Sequence, residues 1–258
     1  MIARITTLAL NTYRESIRSK VLYSLGFIAM IVVGASALFR TVTIGDQVKV
    51  IKDFGLFTIS LFSVAYAVIS GSSLLNKELS RRTIFTILSR PVRRWEFLVG
   101  KLLGLFVTTS TLVVLLAIAF TCFLALFEQG VQWGLLQAYL HILIELFIVC
   151  SSVIFFSSIV VTPMLIGLFT FGLFLAGRSL DFLLYFINEG LVSGVSSVII
   201  RCIYWSLPHL NSILINDAVV YGHEVPLFRT FWASVYALTY GFILVAIGYL
   251  LFQRREFH

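Results

Sequence analysis

Residues Asn76–Gly104 read NKELSRRTIFTILSRPVRRWEFLVGKLLG and form a long polar interruption between two strongly apolar runs. The stretch carries seven basic residues, Lys77, Arg81, Arg82, Arg90, Arg93, Arg94 and Lys101, opposed by Glu78 and Glu96. Lys and Arg beside a hydrophobic span resist translocation, so a basic loop of this kind is expected on the cytoplasmic side of a membrane. Its reading therefore sets the topology of everything before and after it.

The flanking sequence is apolar throughout. Of 258 residues 59% are hydrophobic and 12% charged, with a mean hydropathy of +1.01, whereas a soluble domain carries about 25% charged residues. Long apolar runs place the chain among polytopic membrane proteins. A net charge of +7 would suggest nucleic acid in a soluble protein. Here the basic residues cluster at the ends of spans and no separate basic domain exists, so no nucleic-acid partner is expected. Cys122, Cys150 and Cys202 follow no zinc or redox spacing and read as small apolar residues.

Residues 1–20 are amphipathic. Arg4, Asn11, Glu15 and Arg18 share one helical face, and Ile5, Leu8, Ala9, Thr12 and Ile17 lie largely on the other. The pattern predicts a helix lying in the membrane interface; a plain charged leader is the alternative. Ala35-Ser36-Ala37 imitates a signal cleavage site, but the leader before it is too long. Spans are predicted over about 21–39, 54–75, 97–127 and 135–160, then a fifth run to about 177 and a sixth over about 231–252. Thr162-Pro163 marks the turn between the fourth and fifth.

Residues 178–228 are half apolar yet carry Arg178, Asp181, Glu189, Arg201, Asp217 and Glu224. Leu191–Leu207 is a short run with Arg201 inside it, and a crossing there would put Arg254-Arg255 outside. The segment reads as short helices dipping re-entrantly into the outer leaflet. Six spans leave both termini and the central loop in the cytoplasm, gathering 13 of the 19 Lys and Arg residues on that side. The expected fold is all-α integral membrane, one domain over 1–258, with an interfacial helix at 1–20, a cytoplasmic loop at 76–96 and an extracytoplasmic, re-entrant segment at 178–228.

Chemistry is sparse. His141, His209, His223 and His258 are scattered, with no H-E-x-x-H spacing, so no metal site is expected. Gly71-Ser72-Ser73 imitates the G-x-S of intramembrane proteases, but Leu74 stands where those need Gly; small residues easing helix packing explain it better. No G-x-x-x-x-G-K-[ST] loop occurs, so the chain is not expected to be an ATPase or to bind a cofactor itself. Glu145 falls near the middle of the fourth span, one helical turn from His141, and together they form a candidate intramembrane polar site. An ionisable group at that depth is expensive and faces a protein interior or an aqueous cavity. Two roles stay open: a polar point on a substrate route or proton relay, or hydrogen-bonded glue between helices. Gly100-x-x-x-Gly104 and Gly190-x-x-x-Gly194 are helix-packing patterns, the first near the cytoplasmic face.

Within the central stretch, Glu78, Thr83, Leu88-Ser89-Arg90-Pro91-Val92-Arg93-Arg94 and Gly100-Lys101 follow one another in a characteristic order. In this it resembles the ABC-type-2 permease family, the membrane subunits of one class of ABC exporter. Those proteins carry Glu, Thr, Leu-Ser-x-Pro-Val-x-Arg and Gly-Lys at the start of the third span. Arg82 departs from the pattern, standing where the family usually has Gly. Tyr13–Lys20, with Arg14, Glu15 and Arg18, is similar to the family's elbow helix. Leu207-Pro208-His209-Leu210 is similar to a Leu-Pro-x-Leu motif before the last span, and the Arg-Arg-Glu-Phe ending is also typical. The likeness is nearest to the branch containing the permease of nitrous-oxide reductase maturation.

The resemblance implies that two permease copies pair as a homodimer in the bacterial inner membrane, each docked on a cytoplasmic ATPase subunit that holds the ATP and Mg. It implies further that the loop between spans two and three is the coupling helix, placing Lys77, Glu78, Arg81, Arg82, Thr83, Ile84, Ile87, Leu88 and Arg90 against the ATPase. The residues allow this. Lys77–Ser89 can form a short helix offering Leu79, Ile84, Ile87 and Leu88 as an apolar docking surface, with Glu78 at its electropositive start and Pro91 at its end. The alternative is a loop whose arginines face the phosphates of membrane lipids. The expected function is export driven by a separate ATPase. A second expectation, different in class, is a non-transporting mechanical or scaffold subunit that acts through 178–228 on an extracytoplasmic partner. A sealed dimer interface, without a cavity lined by Glu145 or other polar groups, would favour the second.

Overall fold

Lipid offers no partner for backbone N–H and C=O groups, so a segment that crosses it must satisfy them internally. The computed structural model describes residues 2–39, 47–80, 93–125, 133–182, 185 and 195–253, and every regular element among them is an α-helix. In chain order these are α1 (Ile2–Ile17), α2 (Lys20–Phe39), α3 (Gln47–Ser80), α4 (Arg94–Leu124), α5 (Trp133–Ile159), α6 (Pro163–Arg178), α7 (Val195–Ser206), α8 (Leu210–Ile213), α9 (Asn216–Val220) and α10 (Leu227–Gln253).

Four of these, α3, α4, α5 and α10, are long and apolar enough to cross a membrane, and α1 with α2 adds a fifth as one pair bent by 60°. The six-span expectation thus meets four to five candidates among the described residues. The difference lies in the fifth predicted run. α6 has 16 residues, about 24 Å at about 1.5 Å per residue, against a hydrocarbon core of about 30 Å. It starts at Thr162-Pro163 as the sequence suggests, with Pro in the first turn where its missing N–H costs nothing. It ends at Arg178, whose charge is used at that depth.

α3 and α5 form the centre. α5 packs on α10, α3, α4 and α6, and α4 takes α1 and α2 on its other side. Leu56 and Ile59 of α3, Leu98 and Leu105 of α4, and Ile142 and Leu146 of α5 are fully buried. Leu115, Ile118, Leu168 and Phe242 are exposed, as residues that face acyl chains should be. Small and hydroxyl residues let the helices approach. Ser151, Ser152, Ser157 and Ser158 of α5 each donate to the carbonyl four residues back, so they pack as small groups with no orphan donor. A Cβ at Gly241 of α10 would lie 2.6 Å from Phe147 Cε1 and 2.8 Å from Ser151 Oγ. Gly241→Leu is therefore expected to destabilise the α5–α10 seam by about 1–3 kcal/mol through overpacking; thermal unfolding in detergent, with an unchanged midpoint as the contrary result, checks this.

Two polar ties mark the ends of the bundle. Arg94 Nη1 donates to the Phe252 and Gln253 carbonyls at 3.1 and 3.0 Å, filling acceptors that the end of α10 leaves open. The start of α4 and the end of α10 thus share the basic end, where the Arg93 N–H also donates to the Glu96 carboxylate at 3.1 Å. At the opposite end Gln137 Nε2 donates to the Val225 carbonyl at 3.2 Å, joining the start of α5 to the approach to α10. Trp133, Trp205, Phe228 and Trp232 are exposed on elements of that end, the residue types that favour a membrane interface.

Candidate functional site

The antiparallel hairpin of α5 and α6 sets the site. Glu145 stands about 21 Å along α5 from Ile159, and Arg178 about 22 Å along α6 from Pro163, at about 1.5 Å per residue. The short helix therefore stops where its terminal arginine is level with the buried glutamate. Arg178 Nε donates to Glu145 Oε1 at 3.0 Å and Nη2 to Oε2 at 3.2 Å, a bidentate pair. Ser60 of α3 closes the cluster: its hydroxyl donates to Glu145 Oε2 at 2.8 Å and accepts from Arg178 Nη2 at 2.8 Å. The guanidinium also lies 5.2 Å from the Phe174 ring centroid. Glu145 is wholly buried, while the Arg178 side chain is 18% exposed.

That residual exposure faces a cavity. A space of about 760 Å³ lies at the aromatic end, with Arg178, Asp53, Asp181, Asn211, Asp217 and Arg229 among the residues that line it. Asn211 Nδ2 donates to the Asp181 carboxylate. Glu145 does not line the cavity; Arg178 stands between. The arrangement can hold charge deep in the bundle without an unpaired group, and it presents one cation at the bottom of a polar chamber. Among the described residues no group of three or more His, Cys, Asp or Glu could hold a metal ion.

His141, on the same helix as Glu145, turns to other partners. Its Nδ1 contacts the Ile213 carbonyl of α8 and its Nε2 the Thr230 hydroxyl of α10 at 3.0 Å. A carbonyl only accepts, so Nδ1 carries the proton in its contact with Ile213. His141 thereby ties α5 to the segment before α10, while Glu145 ties it to α3 and α6.

The amphipathic α1 lies along α4. A Cβ at Gly100 would come within 2.7 Å of Leu8 Cβ, and one at Gly104 within 2.5 Å of Thr12 Cβ. Gly100-x-x-x-Gly104 is thus the groove that receives α1. Arg14, Glu15 and Arg18 point away from it and are exposed. Lys101 is buried, with Nζ 5.8 Å from the Phe97 ring centroid. Lys77 and Glu78 fall in the last turn of α3, whose backbone runs to Ser80. Arg81, Arg82, Thr83, Ile84, Ile87, Leu88 and Arg90, the rest of the expected coupling surface, lie outside the described residues, as does Gly190-x-x-x-Gly194.

Sequence reasoning missed Arg178 and Ser60 as partners of Glu145. A signal for Arg178 existed: a carboxylate at mid-span calls for a cation, and Arg178 ends an apolar run of the right length to reach it. Ser60 gave none, being one of several hydroxyl residues in α3.

A family model described as ABC-2 family transporter protein matches residues 6–257. No curated protein matches the chain.

Proposed function

Taking as premise that the chain belongs to the ABC-2 family of transporter proteins, we propose that it is the membrane-spanning permease subunit of an ATP-binding cassette transporter, coupling ATP hydrolysis by a separate ATPase to export. Family members generally work with a cytoplasmic ABC ATPase. In this reading the basic end of the bundle faces the cytoplasm, with both termini there, in a bacterial cytoplasmic membrane. The run ending in α6 is the fifth of six spans in this reading, and 178–228 is the extracytoplasmic segment before the last. Two copies pair, and each docks one ATPase through residues 77–90, with ATP and Mg held by the ATPase.

The observation that carries transport over a scaffold role is the charged cavity floored by Arg178. The helices supply a route from motor to cavity. A push on the loop acts on the end of α3 and the start of α4, and α4 is joined to α1 at its glycines and to α10 through Arg94. From Ser80, α3 runs back about 30 Å to Ser60. Any shift of α3 along its axis therefore alters the Ser60 contacts that hold Glu145 and Arg178 together.

The first test is native purification in mild detergent with an ATPase assay. A stoichiometric ATPase should co-purify and be lost when Lys77–Ser89 is replaced by a neutral linker. Glu78→Arg should leave insertion intact and uncouple hydrolysis from transport. A chain that yields no ATPase under several extraction conditions, or a Glu78→Arg variant with normal coupling, would remove the basis for this reading.

A further inference from the structure

Two cavities meet at the aromatic end. The polar chamber above Arg178 and a second space of about 490 Å³ share Ser212 and Arg229 among their lining residues. The second is a groove of different character, lined by Phe228, Trp232 and Tyr236 along one face of α10. Phe228 and Trp232 are exposed and in edge contact at 5.7 Å between centroids. One wall is thus charged, the other aromatic and lipid-facing, and Arg229 stands at the junction. It donates to the Ser212 carbonyl at 3.5 Å, a long bond that uses one of its five N–H groups.

Charge narrows the occupant. Within the chamber Arg178 is held by Glu145 and Ser60, and Asp181 by Asn211. Asn211 is a neutral amide, so Asp53, Asp181, Asp217 and Arg229 are the charged groups on the wall without a counter-charge among the contacts above. A simple anion would meet three carboxylates beyond Arg229, and a simple cation would meet Arg229 first. A ligand with a phosphate next to an ammonium satisfies both, and the aromatic groove offers its apolar part a place without leaving the membrane.

We propose that the joined cavities bind a zwitterionic phospholipid from the bilayer, its phosphate at Arg229, its ammonium toward Asp217 and Asp53, and its chains along the aromatic face of α10. This names the substrate class for the transport reading and rests on that reading for every step after binding. Binding itself needs no ATPase, so the two can fail separately.

The test is native mass spectrometry of the delipidated full-length protein with phosphatidylethanolamine, phosphatidylglycerol, diacylglycerol and soluble glycerophosphoethanolamine. Phosphatidylethanolamine should bind about tenfold more tightly than phosphatidylglycerol, the worth of one added charge-assisted pair. Arg229→Ala should lower its affinity about tenfold or more, with Arg229→Lys retaining part of it. Asp217→Asn, at an exposed position, should narrow the preference over phosphatidylglycerol without unfolding the chain. Phosphatidylglycerol or diacylglycerol binding equally well, or the Arg229 and Asp217 variants binding as wild type, overturns the proposal. Glycerophosphoethanolamine competing as strongly as the lipid would assign the chamber to a soluble ligand instead.

Discussion

Arg178→Ala is expected to be among the most destabilising single substitutions in this protein, lowering its stability by about 3 kcal/mol. The change leaves the wholly buried Glu145 carboxylate with the Ser60 hydroxyl as its remaining bond in the cluster. Uncharged hydrogen bonds between membrane helices are worth about 0.6 kcal/mol on average, because the unfolded chain in lipid finds other partners. A stranded charge is different, since no helix rearrangement supplies a cation. Glu145→Gln should cost less, about 1 kcal/mol, because the guanidinium it strands already reaches the cavity and can hydrate. Replacing both, as Glu145→Leu with Arg178→Met, removes the charges together and should recover much of the loss. Unfolding in detergent across the three variants gives the order. An Arg178→Ala protein as stable as wild type would mean that the pair does not hold the helices. The double variant also separates the two roles of Glu145: stable and inactive assigns the pair to transport, stable and active assigns it to packing.

Gly104→Leu should detach α1 from α4. A Cβ there would lie 2.5 Å from Thr12 Cβ and 2.8 Å from the Ala9 carbonyl oxygen. The second atom is backbone, so no rotamer change relieves the clash, and α1 as a whole must move. Its grip is limited, because the buried Thr12 and Ser16 hydroxyls have no hydrogen-bond partner among the described residues. Overpacking costs about 1–3 kcal/mol, enough to raise the detached population about 5- to 150-fold. Maleimide labelling of Thr12→Cys, with Cys122 and Cys202 replaced by Ser, would report this as a matching rise in rate. Gly34→Leu is the control, since no described residue lies within 4 Å of a Cβ there. Equal labelling in both variants would show that the Gly100–Gly104 groove does not seat α1. If α1 carries motion between the ATPase and the bundle, Gly104→Leu should also lower transport more than ATP hydrolysis.

Much of the site's frame is legible in the residues. Thr162-Pro163 places the start of α6, and the glycine spacing at 100 and 104 announces a close approach. The seven-four-three spacing of Arg4, Asn11, Glu15 and Arg18 shows which face of α1 is left outside. These signals are local: each depends on a backbone preference or on a polar stripe against an apolar one. The exposed α1 charges and the opposite side, with half-buried Leu8 and buried Thr12, follow from that contrast alone. The length of the fifth span is a different matter. An apolar run to Gly177 looks like a crossing, and only its height against α5 shows it ending at the level of Glu145.

The sequence by itself determined that the chain is a helical membrane protein with a basic end, because a bilayer rejects unpaired backbone and sorts charge at its borders. It also determined that Glu145 needed a partner. The tertiary structure decided which partner. Arg178 lies 33 residues from Glu145 and Ser60 lies 85 away, and their meeting depends on how α3, α5 and α6 are rotated and raised against one another. In water an amphipathic stripe would have recorded those rotations. In lipid both the packed and the outward faces of α5 are apolar, so its pattern records neither, and only the packing itself brings Arg178 to Glu145 beneath the cavity.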